Sequence, residues 1–555
     1  MTNKAIARLL KETASLIELT GGNPFRARAF DSAARNLERM EESVAELASQ
    51  GGLTDIQGIG KGLASQIEEI LSYGSFEVRD ELLGALPPEL LDVLAVKGLG
   101  AKKARALWQT LGVQSLDDLE AAARTGRIAA MEGFGEKSQS SILENVAVLR
   151  SFQGRRRLAD AAGEAAALRN GLLETGFDHV WISGEVARCL NDVGSISLVA
   201  TGKGTVEPLG LNLAKSDSTL GVRYDGQLPD GLEIRILIAA EDAAGTALFH
   251  ETGPAGFVEA VRGNRDIHAP DETAFFAAAG VPWITPELRD LPGAAERLST
   301  LSSLDLVTDA HLKGVLHNHS TYSDGAHTLR EMSLAVRERG YGYFGICDHS
   351  QSLKVAHGMS PETVARQQAE IRRLNEEFAT DGGPAFRVFS GVESDILTDG
   401  SLDYDDDVLA SFDFVVASVH VGFNMTEAQA TERIIRAISH PATSILGHPT
   451  GRLILKREGY PVDHEAILQA CAAHNVAVEL NANPYRLDLD WTWVERACEL
   501  GVPVSINPDA HSIDQIDLMT WGVAAARKGG LTPDGCLNAL TSDGFAAWLS
   551  SRKRA

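Results

Sequence analysis

Cysteine is scarce in this chain and unpaired. Cys189, Cys347, Cys471, Cys498 and Cys536 are scattered over 555 residues with no CxxC pair. That argues against a disulfide framework and fits a reducing compartment. No apolar run approaches the roughly 20 residues that span a bilayer, so no membrane partner is expected. The opening MTNKAIARLLKETASLIEL is amphipathic and lacks an apolar core followed by a small-residue cleavage site. No signal peptide is therefore expected, and the expected location is the cytoplasm. Basic excess is missing too: 51 Lys+Arg stand against 76 Asp+Glu, a net charge of −25. A nucleic-acid binder normally shows a basic face. The deficit is uneven, with 17 basic against 21 acidic residues in 1–150 and 34 against 55 in the remainder. Whole-chain charge bears on solubility and steering rather than on fold. A chain this long exceeds one core, and three or four domains are expected.

What is present begins with a repeat. Residues 1–150 read as almost all helix. KAIARLLKETASLIELTG stops at Gly21 and Gly22, and NPFRARAFDSAARNLERM offers Arg26, Arg28, Arg35 and Arg39 to solvent. The pattern apolar-x-Gly-apolar-Gly, followed by a helix with an early lysine, then occurs three times: IQGIGKGLASQI (56–67), VKGLGAKKARAL (96–107) and MEGFGEKSQSSI (131–142). Gly58 and Gly60, Gly98 and Gly100, and Gly133 and Gly135 permit a tight turn that aims backbone N–H groups and the positive end of a helix at an anion. Lys61, Lys102, Lys103 and Lys137 add charge beside it. The repeat resembles the helix-hairpin-helix motif, which implies salt-dependent contact with DNA phosphates without base reading.

The last 240 or so residues alternate strand and helix. Candidate strands are KGVLHNHS, YGYFGICDHS, FRVFSGVES, FDFVVASVH, TSILGHP, VAVELNAN and PVSINPDAH, with helical stretches such as HTLREMSLAVRERG and DHEAILQACAAHN between most of them. Near-continuous apolar strands in repeated βα units predict a parallel sheet, and seven or eight of them predict a closed barrel with its chemistry at the C-terminal strand ends. Nine side chains of the type that divalent metals prefer sit largely at those ends: His317, His319, Asp324, His349, Glu393, His420, His448, Asp509 and His511. The HxH spacing puts His317 and His319 on one side of a strand, and Glu393, an acid among histidines, is the best bridging carboxylate. These residues predict a multinuclear metal hydrolase centre. Arg452, Lys456 and Arg486 are candidates to grip substrate phosphates.

The hairpins and NPFRARAF, the middle stretches ALFHETGPAGF (247–257) and WITPELRD (283–290), and VAHGM, SDILTDGSLDYDDDVL, GHPTGRL, ELNANPYRLDL and PDAHS in the last domain together resemble a bacterial family X DNA polymerase with a C-terminal polymerase-and-histidinol-phosphatase (PHP) domain. The resemblance covers essentially the whole chain. It implies a multidomain α and α/β protein in four parts. Residues 1–80 would be an 8 kDa-like helical domain with one hairpin, and 81–152 a fingers-like domain with two more. Residues 153–300 would be a nucleotidyltransferase-like α+β palm and thumb, and 301–555 a distorted (β/α)7 PHP barrel. It implies three divalent ions on the nine ligands, manganese foremost with zinc or iron as alternatives. It also implies action on DNA, as gapped or 3′-ended duplex without sequence specificity, in the bacterial nucleoid.

The family's polymerase signature is altered. In ISGEVARCLNDVGSISLVA (182–200), Ser195 and Ser197 stand where the family has its Asp-x-Asp pair, and Glu233 is the one remaining acid. Gly184 and Arg188 remain of the triphosphate turn, while Glu185 replaces its serine and Ala187 an arginine. Thr252 and Gly253 are kept, and His250 and Glu251 replace an aromatic pair. A hydroxyl does not replace a carboxylate at a Mg²⁺ site, so nucleotidyl transfer is expected to be absent or vestigial. The expected activity is metal-dependent hydrolysis at DNA 3′ ends or phosphodiesters: 3′–5′ exonuclease, 3′-phosphatase or abasic-site incision. Alternatives are a small-molecule phosphatase, a non-enzymatic DNA scaffold, and residual manganese-dependent polymerisation in gap repair. No sequence feature bears on the oligomeric state.

Overall fold

The computed structural model describes residues 3–38, 40, 43–87, 89–228 and 230–552; Arg39 lies outside them. Two compact units emerge, Met1–Gln153 and Gly154–Ala555.

The first unit is helical. The helix Asn3–Thr20 serves two cores. Its Leu10 and Ile17 pack with Phe30, Ile67, Ile70 and Phe76, while Leu16 and Leu19 pack with Leu90, Leu107, Leu119 and Val146. Apolar residues on both sides of one amphipathic helix thus join two small clusters. The three glycine repeats share one geometry. Gly58, Gly98 and Gly133 all adopt positive φ, from 82° to 89°. Gly60, Gly100 and Gly135 follow as N-caps of the helices Lys61–Tyr73, Ala101–Leu111 and Glu136–Phe152, with no side chain capping them. The first glycine tolerates a left-handed turn that a Cβ disfavours. The second leaves the first-turn N–H groups without a competing side-chain acceptor.

The second unit holds two sheets. The smaller has five strands, ordered Phe177–Ser183, Ser195–Gly202, Glu233–Ala239, Gly221–Gln227 and Leu213–Ser218. Its pairings are antiparallel except the second with the third, which run parallel with Ser195 opposite Glu233. The helix Leu158–Glu174 covers it through Ala161, Ala165 and Leu172. Phe249, Phe257, Phe275 and Phe276 then form the core of the helical segment that follows.

The larger sheet has seven strands in consecutive spatial order: Gly314–Val315, Tyr343–Ile346, Arg387–Asp395, Phe414–Ser418, Thr443–Leu446, Ala477–Asn481 and Val504–Asn507. Every pairing is parallel. A parallel bridge between Asn318 and Ala510 brings the two edges together, so the barrel is nearly closed. Each strand is buried on both faces, which is why these segments read as continuous apolar runs rather than alternations. Phe545, from the helix Ser542–Arg552, plugs the end where the strands start, against Tyr343, Phe389 and Phe414. The opposite end is left for polar side chains.

A buried charge triad joins the two sheets' domains. Lys528, fully buried, donates to the Arg188 carbonyl at 2.9 Å and pairs with Asp290, which also accepts from Arg188 Nε at 3.0 Å. Burial lowers the Lys528 ammonium pKa from its ordinary range, and the Asp290 carboxylate opposes that shift. Removing one partner of such a group strands the others at a cost of about 3–5 kcal/mol. Asp290→Ala is expected to lower the first thermal unfolding midpoint by several degrees, whereas Asp290→Leu combined with Lys528→Met is expected to cost less. Equal midpoints for wild type and Asp290→Ala by calorimetry would contradict this.

Candidate metal centre

All nine candidate ligands converge on the C-terminal mouth of the barrel. Strand ends supply most of them, because a parallel barrel delivers successive strand termini to one rim. Glu393 is the hub. Its carboxylate lies 3.2 Å from His317 Nε2, 2.9 Å from His349 Nδ1, 3.2 Å from His420 Nε2 and 3.0 Å from His448 Nε2. Asp509 Oδ1 is 3.1 Å from His319 Nε2, and Asp324 Oδ1 is 3.3 Å from His511 Nε2. Three groups have ligand atoms close enough to share an ion: His319, Asp324, His349 and His511; His317, His319 and Asp509; His349, Glu393 and His420. His448 adjoins the third through Glu393.

The residues fit divalent cations by an independent criterion. His317 Nε2, His319 Nδ1, Asp324 Oδ1, His349 Nδ1, Glu393 Oε2 and His448 Nδ1 are buried with no hydrogen-bond partner of proper geometry. Orphaned buried polar atoms are costly and rare in folded proteins. Those of His317, Asp324, His349 and Glu393 lie against other ligand-type groups, where a cation would satisfy them. The backbone is specialised as well, since His317 and Asp509 both sit at positive φ (57° and 52°). Such conformations persist where the surroundings overdetermine them.

Charge is tightly coupled here. Burial works against ionised Glu393, yet the imidazoles of His420, His317 and His349 outweigh it and hold its pKa well below the ordinary range. Burial also opposes charging His420 and His511, but Glu393 and Asp395 push the first up to about 10, and Asp324 and Asp509 push the second up to about 9. His319 goes the other way, down to about 3, through burial and the neighbouring His511 and His349. The carboxylates thus hold protons on imidazoles that a divalent cation would displace.

Three buried acids behind these ligands were not singled out from the sequence. Glu479 accepts from His317 Nδ1, from Asn507 Nδ2 at 2.9 Å and from the His448 backbone N–H at 3.2 Å. Asp395 holds His420 Nδ1. Asp348, pushed up to about 6 by burial, accepts from the Ser320 N–H, the Ser320 and Ser323 hydroxyls and the Gln367 amide. It fixes the turn between His319 and Asp324. The available signal was an acid inside or ending an apolar strand: VAVELNAN, GVESD and GICDH.

The three cationic candidates separate. Arg452 is turned into the protein, where it pairs with Asp490 and donates to the carbonyls of Arg486 and Leu487. Its guanidinium clamps the 486–490 segment. Arg486 Nε lies 3.7 Å from Asp509 Oδ2, inside the site. Lys456 is exposed.

Residues 1–76 match the helix-hairpin-helix domain family, and residues 90–145 match the SAM-like helix-hairpin-helix tandem family. The DNA polymerase/3′–5′ exonuclease PolX of Bacillus subtilis is 35% identical over 99% of both chains. The chain belongs to the bacterial family X DNA polymerases with a PHP domain. Probable phosphatases of Syntrophotalea carbinolica and Vibrio parahaemolyticus are each 26% identical, over 40% and 43% of this chain and 90% and 91% of their own lengths. They match its C-terminal, PHP part.

The five-stranded sheet falls in the 153–300 stretch that the resemblance led us to expect as palm and thumb. Its cleft, about 370 Å³, is lined by Gly184, Arg188, Ser195, Ser197, Arg223 and Glu251 among others. Ser195 and Ser197 are buried on one strand, and Glu233 stands across the ladder from Ser195. The cleft's charges are internally matched. Glu185 accepts from the Gly194 and Ser195 N–H groups. Arg188 pairs with Asp290, Arg223 with Glu251, and Arg235 with Glu233. Gly184 keeps positive φ (64°), and a Cβ there would lie 2.9 Å from Ser197 Oγ.

A carboxylate behind a ligating histidine fixes its tautomer and orientation, and its removal typically weakens metal binding about 10–100-fold. Glu479→Gln is therefore expected to weaken Mn²⁺ binding by at least tenfold in calorimetric titration. Unchanged affinity would remove Glu479 from the centre.

Proposed function

We propose that this chain is a DNA-repair hydrolase that removes nucleotides or phosphate from DNA 3′ ends through its PHP centre, with polymerisation absent or vestigial. The observation that carries this reading is the contrast between the two sites. Glu393 and eight other ligand-type side chains meet at one barrel mouth, six of them with a buried polar atom that lacks a hydrogen-bond partner, whereas the palm has two serines in place of carboxylates and neutralises its own arginines.

His317, His319, Asp324, His349, Glu393, His420, His448, Asp509 and His511 would hold three divalent ions, Mn²⁺ first, with Zn²⁺ or iron suited to the same donors. Bound there, such ions supply Lewis acidity toward phosphate and an activated water at neutral pH. The chain contributes the rest. Arg486, beside Asp509, and Lys456 on the rim favour an anionic substrate. Glu479 and Asp395 hold His317 and His420 in place.

The hairpins support action on DNA. Lys61, Lys102, Lys103 and Lys137 are exposed next to uncapped helix N-termini, the geometry that binds phosphate backbones. The second copy is the strongest of the three, with two lysines and no acid in its first turn. Glu136 opposes Lys137 in the third. Three backbone grips would be superfluous in a metabolite phosphatase. The probable-phosphatase relatives favour one variant of this reading, in which a 3′-phosphate is cleaved as well as a diester.

The test is Mn²⁺-dependent shortening of a 5′-labelled gapped duplex. Wild type and Ser195→Ala are expected to give a 3′-shortening ladder, and His349→Ala to lose it by a factor on the order of 10³ or more, since a metal site contributes several kcal/mol to the barrier. Binding without any hydrolysis would favour a scaffold, and robust templated primer extension would restore the polymerase reading. Lys102→Ala with Lys103→Ala is expected to weaken duplex binding across sequences and reduce the salt slope by about two. An unchanged slope in a salt titration would move the grip elsewhere.

A further inference from the structure

Four large apolar side chains of the 154–555 unit stand exposed among the described residues: Trp283, Val355, Val421 and Tyr485. Exposed apolar groups gathered around a cleft mark a binding surface, and three of these four belong to loops leaving the C-terminal end of the barrel. Val421 directly follows His420. Val355 lies on the loop between His349 and Met359, which the Met359 N–H closes onto the His349 carbonyl at 2.8 Å. Tyr485 precedes Arg486, whose Nε reaches Asp509.

Tyr485 is the most organised of them. The residue is 48% exposed, and the Arg157 guanidinium lies over its ring, 3.6 Å from the centroid. Arg157 comes from the palm and is itself held by Asp160. The backbone beneath the ring is tied down as well. The Tyr485 N–H donates to Asn483 Oδ1 at 3.1 Å, and its carbonyl accepts from the Ile454 N–H at 2.7 Å. Asp490, a few residues on, accepts from Asn191 of the palm at 2.8 Å and pairs with Arg452. Tyr485 is thus a half-exposed aromatic residue backed by a cation and fixed at the lip of the metal cleft.

We propose that Tyr485, backed by Arg157, is a stacking platform for the last base of a single-stranded 3′ end whose phosphate enters the metal centre. This deepens the 3′-end hydrolase reading and rests on it. The occupant follows from the chemistry of the rim. Tyr485 has Arg157 over its ring and is followed in the chain by Arg486 beside Asp509, an aromatic with cations on either hand that suits a base and its backbone together, and stacking on a ring tolerates any base. The palm, idle as a polymerase, would then supply one wall of the hydrolase site.

The experiment compares kcat/KM with Mn²⁺ for two single-stranded oligonucleotides, one with normal 3′-terminal nucleotides and one with tetrahydrofuran abasic analogues at its last two positions. Wild type and Tyr485→Phe are expected to prefer the base-bearing end. In Tyr485→Ala and Tyr485→Leu the ratio between the two substrates is expected to fall about ten- to a hundredfold, the range that loss of one stacked base predicts. Leucine keeps apolar bulk without a π-face, so its loss of preference cannot be ascribed to collapse of the loop. Both substrates hydrolysed with the same ratio in wild type and Tyr485→Ala would overturn the platform and leave the hydrolase standing. Neither hydrolysed by the wild type would overturn the hydrolase reading, and this one with it.

Discussion

A single buried carboxylate organises this protein's chemistry. Glu393, almost fully enclosed at the end of a barrel strand, is within 3.2 Å of four imidazoles from four other chain segments. An isolated ionised carboxylate at that depth would be expensive. It is tolerable where cations, whether protons on imidazoles or divalent metals, surround it. That requirement constrains the fold: seven parallel strands must finish on one rim, and the opposite end must be sealed by apolar side chains, which Phe545 provides.

The same constraint explains the layers behind the ligands. An imidazole presenting one nitrogen to a cation must anchor the other, and Glu479 and Asp395 do this for His317 and His420. These anchors are charged, so they too must be satisfied, and amides such as Asn481 and Asn507 complete Glu479. The palm shows the alternative outcome. Around Ser195 and Ser197 the arginines find partners within the protein, and the cleft is a set of matched ion pairs. Arg188 is turned to structure, joined with Asp290 and the barrel's Lys528.

Much of this was legible in the chain itself. The alternating strands and helices, with His or an acid closing each apolar run, predicted a barrel with ligands at its C-terminal ends, and the seven parallel strands agree. The GxG repeats likewise anticipated three turns, each with a left-handed first glycine and a helix starting at the second. These features were readable because they follow from local rules: a period, a spacing, or a backbone conformation only glycine adopts cheaply. The position of Arg452 just after GHPTG says nothing of its partners. Only the folded chain shows that Asp490 and two carbonyls claim its guanidinium.

The boundary between the two kinds of knowledge is physical. Residue types, their order and strand-end placement determined which groups were available, that they are of the kind divalent metals prefer, and that Ser195 and Ser197 offer hydroxyls rather than carboxylates. Tertiary structure alone decided which acid would be the hub, which carboxylates would stand behind the histidines, and which cations would face solvent. Burial, pairing and the direction of a side chain depend on segments far apart in sequence. Arg157 and Tyr485, 328 residues apart by number, become one stacked pair only when the palm docks on the barrel.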